Sequence, residues 1–98
     1  MAKITGKYEV LYIIDPTLGE EGTAALVEKF KAMVEAEGTL ASVDEWGKRR
    51  LAYAIDYKTE GYYVLVVFDA PAELPAELER NMKNDEKIMR YKVTRHHA

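Results

Sequence analysis

Three consecutive cations in the middle of the chain are the residues best suited to chemistry. Lys48, Arg49 and Arg50 follow Trp46 and Gly47 and are surrounded by aromatic, aliphatic and small residues. Strand alternation sends Lys48 and Arg50 to one face and Arg49 to the other. Gly47 gives the backbone freedom to bulge and re-aim them. Such a cluster either binds an anionic partner or protects an edge strand from aggregation.

Residues suited to catalysis are few. The two histidines, His96 and His97, stand together at the C-terminus with no other metal-type ligand beside them. Asp44 and Glu45 are adjacent, so a strand would point their carboxylates apart. Ser42, the one serine, lies outside any nucleophile pattern. We therefore predict a chain that is not an enzyme, with no catalytic residue, no metal site and no cofactor.

Length and composition indicate a small folded domain. Ninety-eight residues, nearly half of them hydrophobic, suit one domain over residues 1–98 with a single core. The absence of cysteine excludes disulfides and thiol-ligated metals. The first residues lack the apolar segment of a signal peptide, and no apolar run reaches membrane-spanning length. We expect a cytoplasmic protein with no membrane partner and no small-molecule substrate.

Charge is distributed unevenly along the chain. The formal net charge is −3, which by itself argues against nucleic-acid binding. The acidic residues concentrate in two segments predicted to be helical. The cations collect elsewhere, at Lys3 and Lys7, at Lys48 to Arg50, and at Lys87, Arg90, Lys92 and Arg95. A molecule with an acidic side and a basic side favours specific docking on RNA or protein over general polyanion binding.

The spacing of apolar residues predicts six elements. Alternation predicts strands at residues 7–14, 39–55, 62–69 and 87–94, with a bulge near Gly47 and a hairpin loop at 56–61. Helical spacing predicts helices at residues 20–37 and 73–83, the first capped near Thr17 and ended by Gly38. This order is typical of an α+β split β-α-β sandwich, a four-stranded antiparallel sheet with both helices on one face.

The sheet face opposite the helices is expected to be partly apolar. The first and third strands carry apolar residues on both faces, whereas two helices cover only one. The uncovered face would then display tyrosines and aliphatic residues, and an exposed apolar patch implies a partner. This expectation fails if the long second strand or the C-terminal tail folds across the sheet.

The tyrosines offer an alternative function. Seven of them lie on or near predicted strands, where they pack across strands or stack on bases. The segment from Glu60 to Val67 partly matches an RNA-recognition signature, but Glu60 stands where that signature has a cation. The alternative is therefore a stand-alone single-stranded RNA-binding module that uses sheet tyrosines, Tyr62 first among them, as a stacking platform.

Four segments together resemble one known family. They are Tyr8-Glu-Val, Trp46-Gly-Lys-Arg-Arg-Leu-Ala-Tyr-Ala-Ile, Gly61-Tyr-Tyr and Arg90-Tyr91, in matching order and spacing over nearly the whole chain. On these residues the chain resembles bacterial small-subunit ribosomal protein six. The resemblance implies a ferredoxin-like domain without catalytic activity. It also implies binding to small-subunit ribosomal RNA as a heterodimer with small-subunit ribosomal protein eighteen.

The resemblance and the charge pattern together suggest an RNA-binding set. The basic triplet matches the family's, and its role in phosphate contact is inferred from charge. The start of the first strand is expected to lie near the cations of the last strand, so that one basic border holds the RNA backbone. The predicted RNA-binding residues are Lys7, Tyr8, Lys48, Arg49, Arg50, Arg90 and Lys92.

Overall fold

The computed structural model describes residues 5–55 and 58–96, in the predicted order of elements. They are β1 (Thr5–Ile14), a 3-10 turn (Pro16–Leu18), α1 (Gly19–Glu37), β2 (Thr39–Ile55), β3 (Lys58–Pro71), α2 (Glu73–Lys83) and β4 (Ile88–His96). Residues 56 and 57 of the predicted hairpin loop lie outside the described residues, as does His97. Over residues 58–61 the loop prediction is wrong, because β3 begins at Lys58 and pairs with β2 there.

The four strands form one antiparallel sheet in the order β2-β3-β1-β4. The two central strands are the ones with apolar residues on both faces, as the sequence predicts. The predicted α+β arrangement, a ferredoxin-like split β-α-β sandwich, is confirmed. The edges are β2 and β4, so the basic triplet and the last-strand cations lie on opposite edges.

The core lies between the helices and one face of the sheet. Alternate residues of β1 point into it, and the opposite residues of β3 share that face. The buried residues of these two strands are Tyr8, Val10, Tyr12, Ile14, Val64, Val66, Phe68 and Ala70. The helices contribute Leu26, Val27, Phe30 and Val34 from α1 and Leu74, Leu78 and Met82 from α2. The predicted helical spacing therefore marks the core-facing side of both helices.

The start of α1 lacks the side-chain cap that was predicted at or near Thr17. The Asp15 carboxylate accepts hydrogen bonds from the Thr17 backbone N–H at 3.0 Å and from its hydroxyl at 2.8 Å. This caps the 3-10 turn, and α1 follows directly with no side-chain cap of its own. In this capping contact Thr17 is therefore the donor and Asp15 the acceptor.

Gly38 ends α1 as predicted, but for a steric reason. Its φ of −152° is extended, so a left-handed backbone is not what demands glycine here. A Cβ at this position would lie 2.2 Å from the Asp69 carbonyl oxygen and 2.8 Å from the Ala70 Cβ. The helix end therefore approaches β3 too closely for any side chain.

The predicted bulge in β2 is present and reorients its aromatic residue. The β2–β3 register shifts between Glu45 and Gly47, and Gly47 has a φ of +83°. Trp46 is the extra residue of this bulge. Its indole turns towards the face of the sheet that the helices leave uncovered, the open face.

Candidate interaction surface

The open face carries an apolar strip along its two central strands. Leu11 lies opposite Leu65, and Val67 is the next open-face residue on β3. All three are half-buried although neither helix covers them. Ile13 continues the strip and is only 8% exposed. The strip is the partly exposed apolar surface that two helices on one face leave behind.

A three-layer stack borders the strip on the β2 side. The rings of Trp46 and Tyr63 are stacked, with centroids 6.1 Å apart and planes 11° from parallel. The Arg49 guanidinium lies 5.3 Å from the centre of the Trp46 ring, and its Nε donates to the Trp46 carbonyl. The Asp44 carboxylate accepts from the indole N–H at 3.1 Å. Aromatic and cation–π contacts thus hold Arg49 on the open face.

A hairpin arm bends over one end of the strip. The arm comprises residues 50–55 of β2 and 58–61 of β3, which extend beyond the last β1–β3 pair at Ile14 and Tyr62. The Tyr53 ring lies 4.7 Å from the Arg90 guanidinium on the opposite edge strand. The backbones of flat strands three positions apart, as β2 and β4 are, would lie about 14 Å from each other. The Tyr53 and Arg90 side chains therefore reach towards each other over the open face.

Packing beneath the arm explains why Ile13 is buried. A Cβ at Gly61 would lie 2.2 Å from Ile13 Cγ2, 3.5 Å from Leu51 Cδ2 and 3.7 Å from Met89 Sδ. Side chains of β1, β2 and β4 therefore meet over this glycine. The expectation of an uncovered face needs correction here, since the Leu51 and Tyr53 side chains of the second strand lie over one end of it.

An ion pair ties the arm to the body. The Lys58 ammonium donates to the Asp15 carboxylate at 2.5 Å, and the Asp15 side chain is 4% exposed. Burial by itself would raise the pKa of Asp15. The hydrogen bonds from Lys58 and Thr17 outweigh burial and lower that pKa to about 2. Asp15 is therefore ionised over the whole neutral and mildly acidic range.

The predicted basic triplet divides between the two faces, as strand alternation requires. Arg49 lies opposite Gly61 and faces the open side. Lys48 lies opposite Tyr62 and Arg50 opposite Glu60, on the side of the helices. All three cations are exposed.

The predicted single basic border is not what the sheet shows. Arg90 and Lys92 lie on the open face, opposite Ile13 and Leu11 respectively. Lys7 also faces this side, but it lies six residues along β1 from the Arg90 row, about 20 Å away. The cations of the open face are therefore spread along β4 and across to Arg49, because Lys7 and Arg90 lie at opposite ends of the antiparallel pair.

Tyr8 is placed in the core rather than on the surface. Its side chain is 8% exposed and its ring lies 5.9 Å from that of Phe68. Arg95 covers its outer side at 6.0 Å. A ring enclosed in this way is unavailable for stacking on a base, so Tyr8 is left out of the proposed surface.

The other tyrosines mostly pack within the protein. Tyr12 and Tyr91 lie opposite each other on the helix side, and the Tyr62 hydroxyl donates to Glu45 on that same side at 2.9 Å. Tyr63 is on the open face but already stacks on Trp46. Tyr53 is 54% exposed and contacts Arg90. The described tyrosines therefore do not form a continuous stacking platform.

Sequence reasoning missed the partners of these residues. The basic triplet was identified, but the stacking of Arg49 on Trp46 depends on the bulge, and the contact of Arg90 with Tyr53 depends on the bend of the arm. Asp15 followed by Pro16 is a turn signal that marks its local contacts. No local pattern pairs it with Lys58.

The described residues give no sign of a metal centre. Within residues 5–55 and 58–96, no group of three or more His, Cys, Asp or Glu side chains is placed to hold a metal ion. Over the same part of the chain, neither helix is both long and apolar enough to cross a membrane.

The fold and this surface define a class of protein. It is a ferredoxin-like α+β domain that covers one sheet face with its own helices and presents apolar and cationic side chains on the other. A partly exposed apolar surface flanked by cations suits the docking of a macromolecular partner.

Comparison with known proteins identifies the family. The model of the family described as Ribosomal protein S6 matches residues 7–95. The small ribosomal subunit protein bS6 of Alkaliphilus oremlandii is 47% identical over 89 residues, covering 91% of this chain and 95% of that protein. The bS6 protein of Clostridium novyi is 51% identical over 87 residues, covering 88% and 92%. The crystal structure of 30S ribosomal protein S6 from Thermotoga maritima has a TM-score of 0.89 and 30% identity, covering 95% of this chain and 89% of that one.

The chain belongs to the ribosomal protein S6 family. It is a protein of the bacterial small ribosomal subunit and hence a component of the cytoplasmic ribosome. The family consists of ribosomal structural proteins, which agrees with the prediction that the chain is not an enzyme. The resemblance found in the sequence is confirmed.

Proposed function

We propose that this chain binds small-subunit ribosomal RNA jointly with small-subunit ribosomal protein eighteen. The observation that carries the proposal is the apolar strip of the open face, with Arg49 on one side and Lys92 on the other. An apolar strip favours a folded protein partner, whereas the flanking cations favour a polyanion. Together they suit a partner protein seated on the sheet with RNA along the edges.

The net charge explains why a partner is needed. At −3 the chain as a whole repels phosphate, and salt screens its local cations beyond about 8 Å at physiological ionic strength. A basic partner would supply the missing positive charge, since affinity for RNA rises with the number of phosphates neutralised. The residues proposed to contact the RNA backbone are Lys7, Lys48, Arg49, Arg50, Arg90 and Lys92.

The proposal is tested by measuring RNA binding with and without the partner. We expect the chain alone to bind a small-subunit RNA fragment weakly. With protein eighteen present, we expect tight binding whose affinity falls steeply with salt concentration. Tight, salt-insensitive binding by the chain alone would contradict the proposal, because it would mean that no partner charge is required.

A pair of matched variants tests the edge cations. Arg49→Gln removes a cation from the open face, whereas Lys83→Gln removes an exposed cation from the end of α2. Both change the net charge equally. We expect Arg49→Gln to weaken the ternary complex and reduce its salt dependence by about one phosphate contact, with Lys83→Gln close to wild type. Equal losses in the two variants would indicate a general charge effect instead.

A further inference from the structure

The arm does not fix its own direction. Between the pair of Arg50 with Glu60 and the pair of Ile55 with Lys58, the β2–β3 register shifts. A two-stranded hairpin beyond the edge of a sheet is marginally stable by itself. Contacts with the rest of the molecule must therefore decide where the arm lies.

One of those contacts is charged and buried at its acidic end. Asp15 has other contacts that hold it in place, because its backbone N–H donates to the Lys87 carbonyl at 2.8 Å and its carboxylate accepts from Thr17. Lys58, opposite Ile55 at the tip of the arm, docks on this anchor at the end of β1. Loss of the ammonium would leave a buried carboxylate without its counter-ion.

The remaining contacts lie on the open face. Leu51 and Ile13 pack together over Gly61, which has no side chain, and the Tyr53 ring lies 4.7 Å from the Arg90 guanidinium. Both contacts involve partly exposed groups, so they restrain the direction of the arm less than a short ion pair does.

We infer that Asp15 and Lys58 are a positioning pair, which holds the arm in place at one end of the open face as a rigid wall of the partner-docking surface. The inference rests on the proposed function, since it assigns the wall to the same partner protein. In this position the arm packs against Ile13 and contacts the Arg90 guanidinium. A wall set before binding removes the cost of ordering the arm in the complex.

The test compares Lys58→Met, which keeps the aliphatic stem and loses the charge, with Lys58→Arg, which keeps the charge. Hydrogen exchange of residues 50–55 and 58–61 reports the arm, and calorimetric titration with protein eighteen reports docking. For Lys58→Met we expect faster exchange confined to the arm and affinity for the partner about tenfold weaker. For Lys58→Arg we expect both values near wild type.

A second variant covers the case in which the uncompensated Asp15 unfolds the protein. The double variant Asp15→Asn, Lys58→Met removes both charges of the ion pair, so neither is left buried without a partner. The sheet and core should therefore persist while the arm loosens. Thermal melting checks that each variant is folded at the temperature of the titration.

The outcomes separate this inference from the proposed function. If the wild-type chain does not bind protein eighteen, the proposed function is wrong, and the inference about the arm is wrong with it. Wild-type binding accompanied by a loosened arm and unchanged affinity in the variants would overturn the positioning role alone. Unchanged exchange in the arm, or equal behaviour of Lys58→Arg and Lys58→Met, would also overturn it.

Discussion

Lys58 Nζ lies 2.5 Å from Asp15 Oδ2, although 43 residues separate the two in sequence. The contact joins the end of β1 to the start of β3 at a carboxylate that is 4% exposed. The same aspartate caps the 3-10 turn ahead of α1 and ties its own backbone to Lys87 before β4. One residue thus links the turn before α1 to three strands, through its carboxylate and its backbone N–H.

Acid should weaken the fold through Asp15. Its folded pKa of about 2 lies below the ordinary value of 3.8, so the unfolded chain takes up the proton first as the pH falls. The stabilisation is therefore complete above about pH 4 and is lost between about pH 4 and pH 2. This lowering of the pKa corresponds to about 2 kcal/mol of stability. Urea unfolding at a series of pH values measures it.

Asp15→Asn is the control for this titration, because other carboxylates also titrate in acid. The stability difference between wild type and Asp15→Asn should be constant from pH 7 to about pH 5 and shrink below pH 4. A difference that does not change with pH would show that the charge of Asp15 contributes nothing.

Removing one buried hydroxyl should stabilise the protein. Tyr12 is 0% exposed, and its hydroxyl has no hydrogen-bond partner among the described residues. Burial, with smaller contributions from Glu45 and Tyr62, raises the pKa of this hydroxyl and keeps it neutral. We expect Tyr12→Phe to raise the free energy of unfolding by about 1 kcal/mol, because the ring packing on Phe30 is kept and an unpaired polar group is lost.

Tyr62→Phe is the matched control in the same denaturation experiment. The Tyr62 hydroxyl donates to Glu45, so its removal should be neutral or destabilising by up to about 1 kcal/mol. Destabilisation by Tyr12→Phe of a similar size would show that the Tyr12 hydroxyl has a partner in solution.

Replacement by alanine should destabilise the protein at two glycines, for a different reason at each. Gly38→Ala places a Cβ against the backbone of β3, so we expect a loss of at least about 2 kcal/mol or a displaced helix end. Gly47→Ala has open space around it, and only its φ of +83° is unfavourable, at a cost of about 1 kcal/mol. Thermal melting of both variants shows which substitution causes the larger loss of stability. A larger loss at Gly47 would contradict the steric account of Gly38.

The single tryptophan should report docking on the open face. Trp46 is 36% exposed, and its neighbours Tyr63 and Arg49 belong to the same surface. Seating protein eighteen on the apolar strip would remove water from the indole, so we expect its emission to shift to shorter wavelength. The partner's own emission is subtracted. Saturable binding by calorimetry with unchanged Trp46 emission would place the partner elsewhere.

The replacement Trp46→Leu tests whether the stack contributes to affinity. An exposed side chain in a bulge should be replaceable with little change in melting temperature, whereas an aromatic anchor in an interface costs more than about 1 kcal/mol of binding. Calorimetric titration of protein eighteen gives that cost. Affinity equal to wild type would mean that Trp46 only supports Arg49.

Local sequence patterns were sufficient to predict the strands and helices and their order along the chain. Alternation along β1 and helical spacing along α1 mark the sides that are buried, because burial requires apolar residues at the period of each element. Gly47 marked the bulge, since only glycine readily adopts its backbone angle. The matching motif around Trp46 was specific enough to indicate the family, which the comparisons confirm.

The amino-acid sequence by itself determined the strands, the helices, the sheet class and the clustering of cations in three segments, because these depend on neighbours within a few residues. Only the tertiary structure decided that Lys58 meets Asp15, that the arm covers Ile13, that Tyr8 is enclosed and that Arg90 lies far from Lys7. Each of these depends on register and bending between strands distant in sequence. No local periodicity encodes such contacts, since the same alternation of residues is compatible with more than one direction of the arm.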